Sequence, residues 1–188
     1  MRVATKTKDL VLRTALELFV EKGITATTIR DIATKGKIAE GTLYRYFTSK
    51  DALAKELYET HCATVASDIQ SLRAESHDFE SFLSSFIIYL CQTFDKDIVL
   101  FQYVFLLSPN DFNRLKVTET LPQDVLCDAV TETFKKRGQV DRDAELVTAQ
   151  IMGSILQTAH YKICGKLPRA FSYYADELVF AVFRILRD

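Results

Sequence analysis

Proline and glycine are scarce, three and six in 188 residues. So few chain breakers exclude a turn-dense architecture and point to long uninterrupted elements, which means helices. Long hydrophobic runs are missing as well. No apolar stretch approaches the roughly 18 residues that a membrane span needs. The longest, Ile98 to Leu107, is interrupted by Gln102 and Tyr103. The N-terminal MRVATKTKD is polar and lacks the apolar stretch of a signal peptide, so a cytoplasmic protein is expected. The four cysteines, Cys62, Cys91, Cys127 and Cys164, form no C-x-x-C pair. That speaks against a structural zinc site or a thioredoxin-like motif, and each cysteine reads as a buried free thiol in an apolar helix. His61, His77 and His160 have no ligand-like spacing to one another or to cysteine. There is no glycine-rich phosphate loop, no G-x-S-x-G, no H-E-x-x-H and no cluster of carboxylates. No enzymatic activity, metal or cofactor is therefore expected.

What the chain does have is apolar content and an uneven charge. Hydrophobic residues make up 48 %, enough for a sizeable core. The formal net charge of −1 hides two opposed parts. Residues 1–55 hold 11 Lys/Arg against 6 Asp/Glu, whereas residues 56–188 hold 13 against 19. A basic N-terminal third on an acidic body implies one surface that attracts polyanions while the rest repels them.

The hydrophobic pattern is helical throughout. Leu12, Ala15, Leu16, Phe19 and Val20 fall on one face of a helix over Lys8 to Lys22, and Gly23 ends it. Thr28-Ile-Arg-Asp31 is a capping-box pattern that opens a short helix stopping near Gly36. A third short helix runs from about Glu40 to Phe47, and Thr48 or Ser49 caps a long one through about Arg73. Asp78 to Phe94 carries Phe79, Phe82, Leu83, Phe86, Ile87 and Leu90. Asp97 to Leu107 is apolar nearly all round and is expected to be a buried helix. Ser108 to Leu121 reads as a loop with at most one helical turn. Pro122 suits the first turn of a helix that ends in Lys135-Lys-Arg-Gly138. Asp141 to Lys166 and Ala170 to Arg187 complete an all-α chain of about nine helices.

The last two helices each carry two apolar stripes. On the first, Leu146, Ala149, Gly153, Leu156 and Ile163 line one face and Val147, Ile151, Ile155 and Ala159 another. On the second, Tyr174, Leu178, Val182 and Ile185 line one face and Tyr173, Phe180 and Phe183 another. A surface helix of a monomer needs only one such stripe. The second is expected to meet another copy of the chain, with Ala149, Gly153, Leu156, Tyr174, Leu178, Val182 and Ile185 at the dimer interface.

The N-terminal pattern resembles the TetR family of transcriptional regulators. The resemblance is carried by Val11-Leu12, Ala15, Leu18-Phe19 and Gly23; by Thr27-Thr28-Ile29 and Asp31-Ile32-Ala33; by Gly41-Thr42-Leu43-Tyr44 and Tyr46-Phe47; and by Ser49-Lys50-Asp51 and Leu53. It covers about residues 8–57. It implies a three-helix helix-turn-helix DNA-binding domain over residues 1–50 and a larger helical effector-binding and dimerisation domain over residues 51–188. In a helix-turn-helix the second helix lies in the major groove. By analogy Thr42 and Arg45 face bases, Tyr46 and Lys50 face the DNA backbone, and Tyr44 serves either. Thr28, at the cap of the preceding helix, is placed to offer a hydroxyl or amide to a phosphate. Leu43 and Phe47 are the packing side of the recognition helix.

The turn departs from the family pattern. It usually reads Ala-Gly-Val-Ser, and here it is Gly36-Lys37-Ile38-Ala39. Lys37 stands where glycine supplies a left-handed backbone, at a cost of about 1 kcal/mol for a residue with a Cβ. Ala39 replaces a serine N-cap, at a cost of about 1 kcal/mol. In exchange Lys37 adds a cation at the turn, and Glu40 is suited to accept from a cytosine amino group.

The resemblance further implies a homodimer on a palindromic double-stranded operator, released by a small effector, with the long fourth helix as lever; repression is the family's common mode. Aromatic density favours an apolar or aromatic effector, with Phe86, Tyr89, Phe101, Gln102, Tyr103, Phe105 and His160 as its candidate contacts. The rival reading is an all-helical module that uses the basic head on a protein or membrane surface.

Overall fold

A computed structural model of the chain describes residues 2–117, 120–139 and 141–186. Among the described residues there are ten α-helices, one 3-10 helix and no strand. None of these helices is long and apolar enough to cross a membrane. The described residues fall into two compact units, one drawn from Met1–His61 and Val99–Glu119, the other from Cys62–Ile98 and Thr120–Asp188.

The first unit holds α1 (Arg2–Lys22), α2 (Ile29–Gly36), α3 (Glu40–Tyr44), the start of α4 (Lys50–Glu75), α6 (Ile98–Phe105) and α7 (Pro109–Leu115). Helix α1 begins earlier than its apolar stripe suggests, because no proline or glycine precedes Lys8 to stop it. Gly23, at φ 85°, ends it with a left-handed backbone that a side chain adopts only with strain. Ser49 Oγ caps α4 by accepting from the Ala52 amide at 3.0 Å.

Tyr103 lies at the centre of this unit. Its ring stacks on Phe19 and meets Tyr58 edge-on, and its hydroxyl donates to the Ala54 carbonyl at 2.8 Å. Tyr58 returns the bond from α4, donating to the Val104 carbonyl at 3.3 Å. Two buried tyrosines thus tie α4 and α6 together with their polar ends satisfied, as buried hydroxyls require. Helix α6 is only partly buried: Phe101, Tyr103 and Val104 point inward, whereas Ile98 is 40 % exposed. The expectation of a helix buried all round is corrected to that extent.

Residues 108–121 were expected to be a loop, and α7 corrects this. Ser108 accepts from the Asp111 amide and Pro109 fills the first turn, a start signal that outweighs the polar composition. The helix stops at Lys116, which is left-handed at φ 49°. Residues 118 and 119 of the expected loop lie outside the described residues. Helix α7 is held by side chains. Arg114 grips Asp51 with two bonds of 3.0 Å, and Lys55 donates to the Lys116 carbonyl at 2.8 Å.

The second unit holds the rest of α4, α5 (Phe79–Lys96), α8 (Pro122–Lys136), α9 (Ala144–Ile163), the 3-10 helix Phe171–Tyr174 and α10 (Ala175–Leu186). Its core is built from Phe82, Phe86 and Leu90 of α5, Val125, Leu126 and Val130 of α8, Ile151 and Ile155 of α9, and Val182 of α10. The single terminal helix expected over Ala170 to Arg187 is split, and Arg187 lies outside the described residues. Asp95 makes the split possible. Its carboxylate accepts from the amides of Phe171 and Ser172 at 2.7 and 2.8 Å, and Phe171 is thereby seated against Phe94.

The cysteines divide by depth. Cys62 and Cys91 are buried, Cys127 is intermediate and Cys164 is exposed. Burial first, and the nearby Asp95 charge second, push the Cys91 thiol up to about 12. The reading of all four as buried thiols therefore fails at Cys164, whose sulfur sits 3.6 Å from His160 Nε2 on the outside of α9.

Candidate functional site

The N-terminal head is built from local signals first. Thr28 has extended backbone and its hydroxyl accepts from the Asp31 amide at 3.1 Å, while the Thr28 amide donates to the Asp31 carboxylate at 2.8 Å. This is the reciprocal box that the T-I-R-D pattern predicts. The Thr28 hydroxyl also donates to the same carboxylate at 2.8 Å, and Lys22 sits 2.7 Å from it. Hydrogen bonding to Lys22 first, and to Thr28 next, holds the Asp31 carboxyl down at about 2. A depressed carboxylate stabilises the fold above its ordinary pKa of about 4. Here that contribution declines as pH falls below about 4 and is gone once pH has fallen through about 2. Thr28 is exposed at the head, but its hydroxyl proton is already committed within the box.

The departures in the turn have structural counterparts. Lys37 is left-handed at φ 52°, ψ 43°, where the family pattern places glycine. Its amide closes α2 onto the carbonyls of Ala33 and Thr34. Ala39 takes the N-cap position of α3 with no side-chain hydrogen bond. Helix α3 then spans only Glu40–Tyr44, shorter than the expected segment to Phe47. It is held by packing rather than capping: Leu43 is 0 % exposed, and the amides of Tyr46 and Phe47 both reach the Leu43 carbonyl at 2.9 Å. Ala39→Ser should therefore raise the stability of the head by about 1 kcal/mol. Thermal melting would register this, and an unchanged or lower midpoint would refute the capping account.

Of the other expected contacts, Tyr44 is 57 % exposed, Arg45 and Glu40 are exposed, and Thr42 and Tyr46 are half-buried. Tyr46 leans on Phe47 with ring centroids 6.4 Å apart.

Charge pairing decides which cations of the head remain available. Lys8 pairs with Glu56, Arg13 with Glu17, Lys22 with Asp31, and Lys35 with Glu17 and Glu21. Among the described residues, Arg30, Lys37 and Arg45 are exposed and have no ion-pair partner. They stand in the first turn of α2, at the turn, and at the end of α3. Arg30 was not singled out from sequence. A signal was present, since it lies inside the capping box, but the pattern around it did not tell it apart from the paired cations.

Lys50 differs from the expectation of a phosphate contact. Its ammonium donates to the carbonyls of Ile24, Thr25 and Thr27 at 2.6, 3.1 and 2.6 Å. Its three protons are thus all engaged within the protein.

The expected effector contacts are divided between the two units. Phe101, Gln102, Tyr103 and Phe105 belong to the first unit, with Phe101 and Phe105 paired at 4.9 Å. Gln102 and Tyr103 border a cavity of about 180 Å³ with Phe19, Leu106 and Asp111. Phe86 and Tyr89 lie on α5 in the second unit. Phe86 is fully buried, and the Tyr89 hydroxyl donates to Asp68 at 2.8 Å. His160 is exposed.

The expected dimer face is also redistributed. Ala149 and Gly153 are exposed, and Leu156, Tyr174 and Ile185 are half-buried. Leu178 and Val182 are in the chain's own core. Ala175, Leu178 and Val182 form the buried stripe of α10, so this face packs on the chain's own core. The exposed apolar groups of this region are Leu146, Tyr161, Tyr173 and Phe180. Arg169 lies over the Tyr173 ring at 4.1 Å and Arg184 over Phe180 at 4.7 Å.

Comparison with known proteins bears on this head. Residues 11–57 match the sequence model of bacterial regulatory proteins of the tetR family. The chain is 32 % identical over 100 residues to the uncharacterized HTH-type transcriptional regulator YvdT of Bacillus subtilis, covering 50 % of each chain. It is 40 % identical over 50 residues to the HTH-type transcriptional repressor KstR2 of Mycolicibacterium smegmatis, covering 27 % of this chain and 24 % of that one. The chain thus spans about half the length of the first relative and about a quarter of the second. The fold is similar to that of the transcriptional regulator FadR from Bacillus subtilis in complex with stearoyl-CoA. That likeness has a TM-score of 0.77 at 16 % identity, over 93 % of this chain and 97 % of that one. A Thr28-capped α2, a tight turn and a Leu43-anchored α3 lie within residues 11–57, the segment that matches the tetR family of bacterial regulatory proteins.

Proposed function

We propose that the chain is a DNA-binding transcriptional regulator, acting as a repressor. On this reading residues 1–50 read a palindromic operator, and residues 51–188 dimerise and bind a small apolar effector that releases the DNA. The observation that carries the reading is the free cationic rim of the head. Arg30, Lys37 and Arg45 are exposed and have no ion-pair partner among the described residues, and α3, which carries an exposed Tyr44, is too short to serve as core. Cations left without internal partners, beside a groove-sized helix, suit phosphate neutralisation and base reading. Repression is supported by likeness to the repressor KstR2 over the head. An apolar effector is supported by the phenylalanine-rich core of the second unit and by the acyl ligand of the similarly folded FadR. A homodimer through α9 and α10 is supported by Leu146, Tyr173 and Phe180, which no single chain covers.

Selection of bound sequences from a random DNA pool tests the reading directly. A palindromic consensus bound with steep salt dependence is expected. Salt-insensitive binding, or capture of lipid or protein in place of duplex DNA, would sink it. Within that assay Arg45→Ala and Thr42→Ala should weaken operator binding by about 1–3 kcal/mol and random-sequence binding much less. An equal loss on both DNAs would reassign the two side chains to the phosphate backbone.

A further inference from the structure

The turn between α1 and α2 is gripped from outside. Ile24, Thr25 and Thr27 present their carbonyls to the Lys50 ammonium at 2.6, 3.1 and 2.6 Å. The Thr25 hydroxyl donates to buried Asp111 at 3.3 Å, and the Thr27 hydroxyl donates to the Gly23 carbonyl at 2.7 Å. Thr28, the next residue, is the N-cap from which α2 departs. The lysine therefore holds the segment that sets where the first helix of the DNA-reading pair begins.

We propose that Lys50 is a positioning residue for DNA recognition rather than a phosphate contact. It aims α2, with Arg30 in its first turn, by fixing the three turn carbonyls against the start of α4. The inference rests on the DNA-binding reading above. The chemistry calls for lysine specifically. An ammonium is a compact charge with three rotatable donors, and here three acceptors converge on it. A guanidinium has a planar fork, suited to a carboxylate or phosphate and not to three carbonyls meeting at a point. Burial first, and the neighbouring Arg114 charge second, draw the Lys50 ammonium below the ordinary lysine range, as an enclosed group should behave.

The decisive comparison is Lys50→Arg beside Lys50→Met, each measured on operator and on random DNA across a range of salt. Arginine keeps the charge and the reach that a phosphate contact needs. If Lys50 positions the head, Lys50→Arg should lose about tenfold or more in operator affinity, close to the loss for Lys50→Met. Random-sequence affinity should change little, and the slope of log affinity against log salt should stay within about half a counterion of wild type. Wild-type affinity in Lys50→Arg would overturn the proposal. So would a slope reduced by about 0.9 in Lys50→Met alone, the signature of one lost phosphate contact.

Two measurements keep the test independent of mutant folding and of the functional reading. In the unmutated protein bound to operator, the Lys50 ammonium resonance should keep its DNA-free position; scalar coupling to phosphorus would overturn the proposal. In the DNA-free Lys50→Arg protein, amide exchange over residues 24–31 should accelerate, and unchanged exchange would overturn the clamp. Failure of the unmutated protein to select any DNA would instead strike the functional reading and leave the exchange result standing.

Discussion

Val182→Glu should prevent the second unit from folding, whereas Phe180→Glu, two residues earlier on the same helix, should leave the fold intact and break the proposed dimer. Val182 is 0 % exposed and Phe180 is 61 % exposed. A carboxylate at position 182 would be enclosed within the apolar core, since Val182 is 0 % exposed. Burying such a charge costs about 4 kcal/mol or more, against a total stability of about 5–15 kcal/mol for a typical domain. A carboxylate at position 180 meets water in one chain, and in the proposed dimer it would bring a charge into an apolar contact. The guanidinium of Arg184, now over the Phe180 ring, would be left facing the new carboxylate and would soften its effect on the monomer. Circular dichroism and sedimentation separate the two outcomes. A folded monomer for Val182→Glu would return Val182 to the interface. A dimer unaffected by Phe180→Glu would remove α10 from the contact.

Leu43→Ala should have the largest effect on DNA binding of any single apolar change in the head. Helix α3 is five residues long, has no side-chain cap, and follows a residue in left-handed conformation. A helix so short has no stability of its own and stands by its packing. Leu43 supplies much of that packing, being completely buried. Truncation to alanine removes about 2–5 kcal/mol by the usual range for buried leucine. The melting midpoint should fall by about 5–15 °C, and operator binding should be lost even where the protein remains folded. Wild-type operator affinity in Leu43→Ala would mean that α3 is positioned by something other than this anchor.

Much of the head was legible because its signals are local. The capping box at Thr28 and Asp31 needs only four consecutive residues. The left-handed turn at Lys37 was readable from a missing glycine, and the bare N-cap at Ala39 from a missing serine. In each case the structure differs from the sequence reading only in extent, as with the shorter α3. What escaped were partnerships between residues far apart in the chain. Lys50 looks like a surface lysine in a helix first turn until the carbonyls 23 to 26 residues upstream are seen to converge on it. Tyr103 looks like a polar handle on an apolar helix until its hydroxyl is found on Ala54.

The face of α10 failed for a related reason. Two apolar stripes were visible, and nothing in their composition says which one turns inward. That choice is made by packing against other elements, which buries Leu178 and Val182 and leaves Phe180 exposed. The sequence by itself determined the helical class, the helix starts and stops with local caps, and the kind of head at the N-terminus. Those follow from periodicity and capping, which act over a few residues. The tertiary structure alone decided which cations stay free, which lysine is a clamp, and which apolar face is left uncovered. Those depend on hydrogen bonds and ion pairs between elements that only folding brings within about 3 Å of one another.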